Sequence, residues 1–151
     1  MKKLVIMAGL PGSGKSFYRE KMFADMAFVD SDEIKKSIPG YDPNNPSTVH
    51  AMSKVVEKHE IYANMMNGTS FVYDTTATNT DKVVKMTREA QELGYHVTVV
   101  YIDVPLHVAL ERNANRERVV PEEIIYSKFE KIETSMNIAQ KYVDEFVVIK
   151  S

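Results

Sequence analysis

The sequence predicts an α/β fold, a mostly parallel sheet with helices on both faces. Three observations carry this. Apolar β-type runs alternate with helical patterns along the whole chain, as in parallel-sheet proteins. The first run, Leu4-Val5-Ile6-Met7-Ala8, is continuously apolar rather than alternating, as a strand covered on both faces requires. It passes directly into Gly9-Leu10-Pro11-Gly12-Ser13-Gly14-Lys15-Ser16, after which helical sequence begins. With 151 residues and no long linker, repeat or low-complexity tract, the chain reads as one domain, 1–151.

In order, a helix is expected from near Lys15 to about Ala24. Ala27-Phe28-Val29 is a short second strand closed by Asp30-Ser31-Asp32, and residues 33–38 are helical. The breaker-rich stretch 39–46 is a loop. Ser47 is placed to cap a long helix whose apolar positions are Val49, Met52, Val56, Ala63 and Met66, and Asn67-Gly68 ends it. Ser70-Phe71-Val72-Tyr73 is a strand closed by Asp74. Val83, Met86, Ala90 and Leu93 mark an amphipathic helix stopped at Gly94. Residues 96–102 are the most β-like run, and residues 106–114 are helical again. Pro121 suits a first helical position, with Glu122 and Glu123 favourable in the first turn. Ile125, Phe129, Ile132 and Met136 give that helix its apolar stripe, and residues 146–149 form a last strand.

Composition excludes several classes. Hydrophobic residues make up 44% and charged residues 26%, so the chain is neither disordered nor fibrous. The formal net charge is -2, whereas sequence-independent nucleic-acid binders carry a basic excess, so any nucleic-acid contact is expected to be local and transient. Absence of cysteine excludes disulfides and thiolate metal sites and fits a reducing compartment. No stretch approaches the roughly 20 apolar residues of a membrane span. The apolar run after Met1-Lys2-Lys3 is too short for a secretory leader. The expectation is a cytoplasmic protein with no membrane contact.

A strand, then G-x-x-x-x-G-K-S, then a helix is a specific signal for a triphosphate loop of the P-loop NTPase type. Glycines let the backbone curl so that successive N–H groups converge on phosphate oxygens, and the helix N-terminus adds its positive end. Lys15 supplies a full charge to the β/γ-phosphates, and the Ser16 hydroxyl ligates Mg²⁺. The ATP-contacting stretch is expected to run from Gly9 through Phe17.

Phosphoryl transfer further needs charge neutralisation and a group to accept the hydroxyl proton. In a parallel sheet, ligands lie beyond the carboxyl ends of the strands. Two acidic clusters fall there, Asp30/Asp32 and Asp74. Asp32 is the candidate general base, the alternative being a helix N-cap. Asp30 is either structural or an outer-sphere magnesium partner. Asp74, heading Asp74-Thr75-Thr76, either orients a magnesium water, holds a substrate-reading cation, or merely forms a turn. Asp30-Ser31-Asp32 also touches the D-x-D pattern of aspartyl-phosphate phosphatases, but the Thr or Val usual at the fifth place is absent. Arg112, Arg116 and Arg118 form the third group; the first two, four residues apart, share one helix face. Their bidentate forks suit phosphate, so residues 111–121 are read as a lid. The alternative is a solvated face with Glu111 and Glu117 as partners.

His50, His59, His96 and His107 lack metal-ligand spacing and are assigned ordinary surface or half-buried roles. The methionines are assigned to core packing. Lys54 and Lys58 are read as a solvated face beside Glu57 and Glu60 rather than as a nucleic-acid track. Tyr41, a lone loop aromatic, is weak evidence for base stacking.

On these residues the chain resembles the kinase domain of phage-type polynucleotide 5′-hydroxyl kinases and the wider small P-loop kinases that include zeta-toxin kinases. The match runs through the Gly9–Ser16 loop, Asp30-Ser31-Asp32-Glu33, Tyr73-Asp74-Thr75-Thr76, Asp103-Val104-Pro105 and Glu111-Arg112-Asn113 through Arg116 to Val120-Pro121. It implies a three-layer, five-stranded parallel sheet with an arginine-bearing lid, ATP as donor and a hydroxyl as acceptor. It places the catalytic aspartate at Asp32, the lid arginines at Arg112 and Arg116, and the acceptor side at Asp32, Lys35, Asp74 and Thr75. The family's phosphate-reading arginine three residues after the base appears here as Lys35, which lacks the bidentate grip. The expected acceptor is a polynucleotide 5′ end bound transiently, or a nucleoside or modified-base hydroxyl. A small-metabolite or nucleotide-sugar kinase is the second reading, and a non-catalytic ATP-dependent binding module the third.

Overall fold

A computed structural model describes residues 1–116 and 119–151. Strands β1 (Lys2–Ala8), β2 (Ala27–Asp30), β3 (Phe71–Thr75), β4 (Tyr95–Asp103) and β5 (Glu145–Lys150) form one sheet in the order β2-β3-β1-β4-β5. Every neighbouring pair is parallel, so each connection is a crossover, and helices supply the cover. The helices are α1 (Lys15–Phe23), α2 (Ser31–Ser37), α3 (His50–Asn67), α4 (Thr80–Glu92), α5 (Leu106–Ala114) and α6 (Glu122–Ala139). The expected α/β class and five-stranded parallel sheet are what the chain forms.

The central strands justify the continuous apolar runs. Leu4 to Ala8 on β1 and Phe71 to Asp74 on β3 are all buried, which leaves no solvent face to alternate toward. Ile125, Ile132 and Met136 bury the inner stripe of α6, and Val83, Met86 and Ala90 that of α4. Register sets the functional edge: Met7 lies opposite Asp74, and Asp74 lies opposite Asp30, so two carboxylates sit side by side where the strands end. Among the described residues, no helix is long and apolar enough to cross a membrane.

Several local expectations are corrected. Ser47 falls in a 3-10 turn at Pro46–Val49, and α3 starts at His50 with no side-chain cap. The buried face of α3 is Ser53, Glu57, Ile61 and Met65, while Met52 and Met66 are 57% and 68% exposed. Val49 is buried and Val56 packs partly against the core as expected, but Met52, Ala63 and Met66 turn outward, because a serine and a carboxylate occupy inward positions. Pro121 is the N-cap of α6 rather than its first residue. Helix α2 starts at Ser31, since the Asp30 side chain caps it by accepting from the N–H groups of Asp32 and Glu33.

Glu57 is not part of a solvated face. It is 2% exposed, and its carboxylate accepts hydrogen bonds from Tyr73 Oη, from Lys82 Nζ at 2.9 Å and from Ser31 Oγ at 3.1 Å. Lys54 Nζ lies 3.5 Å away. One side chain thus links α3 to α2, β3 and α4. Burial pushes the Glu57 carboxyl up, but hydrogen bonds from Tyr73 and Lys82 and the charges of Lys82 and Lys54 hold it below the ordinary value. A depressed carboxyl stabilises the fold above its unfolded pKa, about 4.3, and that contribution fades as pH falls through the folded value. Glu57→Gln leaves Lys82, 38% exposed and so partly screened by water, without its counter-charge and should cost roughly 1–2 kcal/mol near neutral pH. Urea unfolding across pH should show the gap between wild type and variant narrowing below about pH 4; a gap independent of pH would refute an ionised Glu57.

Candidate phosphate-binding site

The loop between β1 and α1 curls because its glycines allow it. Gly12 and Gly14 have φ of 83° and 94°, a region that side-chain-bearing residues avoid. At Gly12 a Cβ would also come within 2.7 Å of the Ala109 carbonyl, so the loop lies directly against α5. The Ser13 N–H donates to the Leu10 carbonyl at 3.0 Å, closing the turn. Helix α1 begins at Lys15 with Gly14 as N-cap, no side-chain cap and no acidic residue in its first turn. Its leading N–H groups and positive end are thereby presented to a ligand.

This loop lines a cleft of about 940 Å³ beyond the carboxyl ends of the strands. Residues 10–17 form one wall, Asp30, Asp32 and Lys35 another, and Asp74 and Thr76 the floor between them. Arg112 on α5, Arg116 beyond the end of that helix and so not on the shared helix face expected, and Ile124 and Lys128 on α6 also line it. Lys15 points into this space: its Nζ is 3.3 Å from Asp74 Oδ1. Arg19, one turn along α1, bridges Asp30 Oδ2 at 2.9 Å and Asp74 Oδ2 at 3.3 Å. Burial pushes the Asp74 carboxyl up; Lys15 and Arg19 pull it down and Asp30 adds to the rise, leaving it above the usual range.

The expected residues are brought together with few exceptions. Because Asp30 is the helix cap, Asp32 sits in the first turn of α2, and its N–H donates to Asp30 Oδ1 at 2.9 Å. Lys35 follows one turn later on the same wall. Arg112 donates to the Ser13 carbonyl and to Ser151 Oγ, each at 3.2 Å, so it rests on the phosphate loop itself. Arg118 and Glu117 lie outside the described residues. Two expected residues do not line the cleft. Gly9 lies beneath the loop, where a Cβ would meet Ser13 Oγ at 2.6 Å. Thr75 turns its hydroxyl to the Ala77 N–H at 3.5 Å, and Thr76 lines the cleft instead.

Sequence reasoning missed Arg19 and Ala77, and quoted Asn113 without giving it a role. The four-residue spacing from Lys15 to Arg19 was available as a signal. Asn113, 1% exposed, holds Val120 at both its N–H (3.0 Å) and its carbonyl (2.7 Å), tying α5 to the residue just before Pro121, the N-cap of α6. Ala77 takes φ 61° just past the end of β3, a strained turn with no sequence signal. Ser16 lines the cleft with Asp30 and Asp74. One hydroxyl and one or two carboxylates suit magnesium, which keeps phosphate oxygens and waters as its other ligands. Among the described residues, no group of three or more His, Cys, Asp or Glu forms a metal cage of its own.

The sequence pattern of the Zeta toxin family matches residues 1–151. The chain belongs to that family. This Zeta toxin family chain is 25% identical over 138 residues to an L-seryl-tRNA(Sec) kinase of Methanococcus maripaludis, with 87% of this chain and 52% of that protein covered. It therefore spans about half the length of the curated relative it matches. A chain of the AvrRxo1-ORF1:-ORF2 complex solved with ATP superposes with a TM-score of 0.82 at 18% identity, covering 100% of this chain and 55% of the other. A chain of the Pnkp1/Rnl/Hen1 RNA repair complex superposes with a TM-score of 0.71 at 16% identity, covering 90% and 45% respectively.

The two loop glycines are expected to respond differently to alanine. Gly12→Ala suffers both the positive φ and the approach to Ala109, whereas at Gly14 the nearest atom to a new Cβ is Arg112 Nη1 at 3.6 Å. Titration with a fluorescent ATP analogue should show Gly12→Ala losing at least tenfold more affinity than Gly14→Ala. Equal losses would mean that contact with α5 does not shape the loop.

Proposed function

We propose that this Zeta toxin family chain is an ATP-dependent kinase that moves the γ-phosphate to a hydroxyl acceptor. The observation that carries this reading is one cleft lined both by the phosphate loop with Lys15 and by the Asp32 carboxylate. In it, the N–H groups of residues 12–16 and the Lys15 ammonium hold the phosphates, while Arg112 and Arg116, in a lid over 111–121, neutralise charge as the phosphoryl group leaves. Asp32 accepts the acceptor's proton, and Lys35 and Asp74 face the acceptor side. Magnesium, held through Ser16, would shield the phosphate charge. ATP as donor is supported by the similar fold of the AvrRxo1-ORF1:-ORF2 complex solved with ATP.

The acceptor best supported is a polynucleotide 5′-hydroxyl or a related nucleoside or modified-base hydroxyl. The resemblance to phage-type kinases and the fold shared with a chain of an RNA repair complex support it. A small-metabolite or nucleotide-sugar kinase is favoured by one observation, the net charge of -2. Incubation with γ-labelled ATP and a panel of 5′-hydroxyl oligonucleotides, nucleosides and sugars separates the two readings by where label appears; ATP binding with no acceptor labelled would instead favour a binding module. Asp32→Asn should keep ATP affinity and reduce turnover by about 10²–10⁴. Lys15→Ala should lose both. Unchanged turnover in the first removes Asp32 as base, and retained activity in the second contradicts the kinase reading.

A further inference from the structure

Helices α3 and α4 each lead into a strand of the parallel sheet, so they run the same way along it. Two links cross between them. Lys82 Nζ reaches Glu57 Oε1 at 2.9 Å, and further along Tyr62 Oη donates to Glu89 at 2.7 Å. Around these links lies an open groove of about 330 Å³. Its floor is apolar: Ile61, Met65 and Met86 are each buried. Its rim is cationic. Four lysines and two glutamates line it, which leaves two positive charges over. Both glutamates are already engaged, Glu57 by Ser31, Tyr73 and Lys82, and Glu89 by Tyr62, with Lys85 Nζ 4.0 Å away. Lys58 and Lys85 are exposed, and Lys58 Nζ lies over the Tyr62 ring, 5.9 Å from its centre. Burial pushes the Lys54 ammonium down; Glu57 opposes this and Lys82 adds to it. A further negative charge in the groove would relieve that penalty.

A concave apolar floor with a few charged groups at its edge is the usual make-up of a small-ligand site, and 330 Å³ lies at the lower end of the roughly 300–1,000 Å³ that such sites span. We propose that the groove between α3 and α4 is a second binding site, which takes a small amphipathic anion: a carboxylate met by Lys54, Lys58 and Lys85, carried on a flat apolar body that covers Ile61, Met65 and Met86. The two links set the size of that body. Glu57 to Tyr62 is about 7.5 Å along α3, and Lys82 to Glu89 about 10.5 Å along α4, the scale of a fused ring pair. The site stands apart from the kinase reading, since none of its lining residues lines the phosphate cleft.

Naphthalene-2-carboxylate has this form. It is titrated into the whole chain while the backbone amide NMR signals are followed. Saturable shifts are expected at residues 54–65 and 82–89, with residues 12–16 unmoved. Naphthalene-2-methanol, the neutral counterpart, should bind at least tenfold more weakly, and acetate, which lacks the apolar body, should not saturate. The double variant Lys58→Gln/Lys85→Gln removes two exposed charges and should weaken the carboxylate at least tenfold at an unchanged unfolding midpoint. Lys141→Gln, on the exposed surface, should bind as wild type. No saturable shifts along α3 and α4, or shifts confined to the phosphate loop, would overturn the site. Equal affinity for the carboxylate and the alcohol, or a double variant that binds as wild type, would mean that the lysines do not select an anion, and overturns it as well. Labelled transfer from ATP tests the kinase reading separately, so either can fail alone.

Discussion

A buried carboxylate at the end of β3 organises the cleft. Asp74 is 4% exposed, and an ionised group so placed needs cations within reach. Both come from α1: Lys15 at its first residue and Arg19 one turn later, on the same face. Arg19 also reaches Asp30 on the neighbouring strand. Parallel pairing places Asp30 and Asp74 side by side, and their mutual repulsion makes the guanidinium between them necessary. The result holds the ammonium of Lys15 against Asp74 in the lining of the cleft, beside the glycine-rich loop.

The sheet was legible because its signals are local and redundant. A continuous apolar run on β1, breakers at residues 39–46 and Gly68 and Gly94 after helices each fix an element independently. The phosphate loop was legible for the same reason: its conformation depends on glycines that the sequence displays. The polar architecture was less so. Glu57 is among the largest fully buried side chains, yet a glutamate between lysines on a helix ordinarily faces water. The positions of Tyr73, Lys82 and Ser31 on three other elements explain its burial, and periodicity carries no information about those partners. Once a carboxylate takes an inward place, an apolar stripe drawn through Met52 and Met66 is rotated off the true face.

Caps were misread by a related route. Asp30 and Asp32 are equivalent in a one-dimensional reading, since either could begin a helix. The strand decides between them: β2 pairs with β3 through Asp30, so the chain turns there and Asp30 becomes the cap. Asp32 is thereby placed in the first helical turn, on the cleft wall. The pairing of Asn113 with Val120 was hidden more deeply. Asn113 holds Val120 across seven residues by two hydrogen bonds, a pairing no spacing rule anticipates.

The helices that border the cleft are held differently from those that cover the sheet elsewhere. Helix α1 has no fully buried residue; Tyr18 and Phe23 pack only partly against the core. Helix α2 buries Ile34 alone. Apolar area of that size cannot fix a helix of nine or seven residues, so polar links must. Arg19 ties α1 to two strands, and Asp30 and the Ser31–Glu57 hydrogen bond tie α2 to β2 and α3. The side chains that set charge in the cleft are thus also those that hold its walls. Such walls can be adjusted by exchanging a few ionic partners while the parallel sheet beneath stays packed. Polar contacts thus fix the borders of the cleft, and the apolar interior fixes the sheet on which they stand.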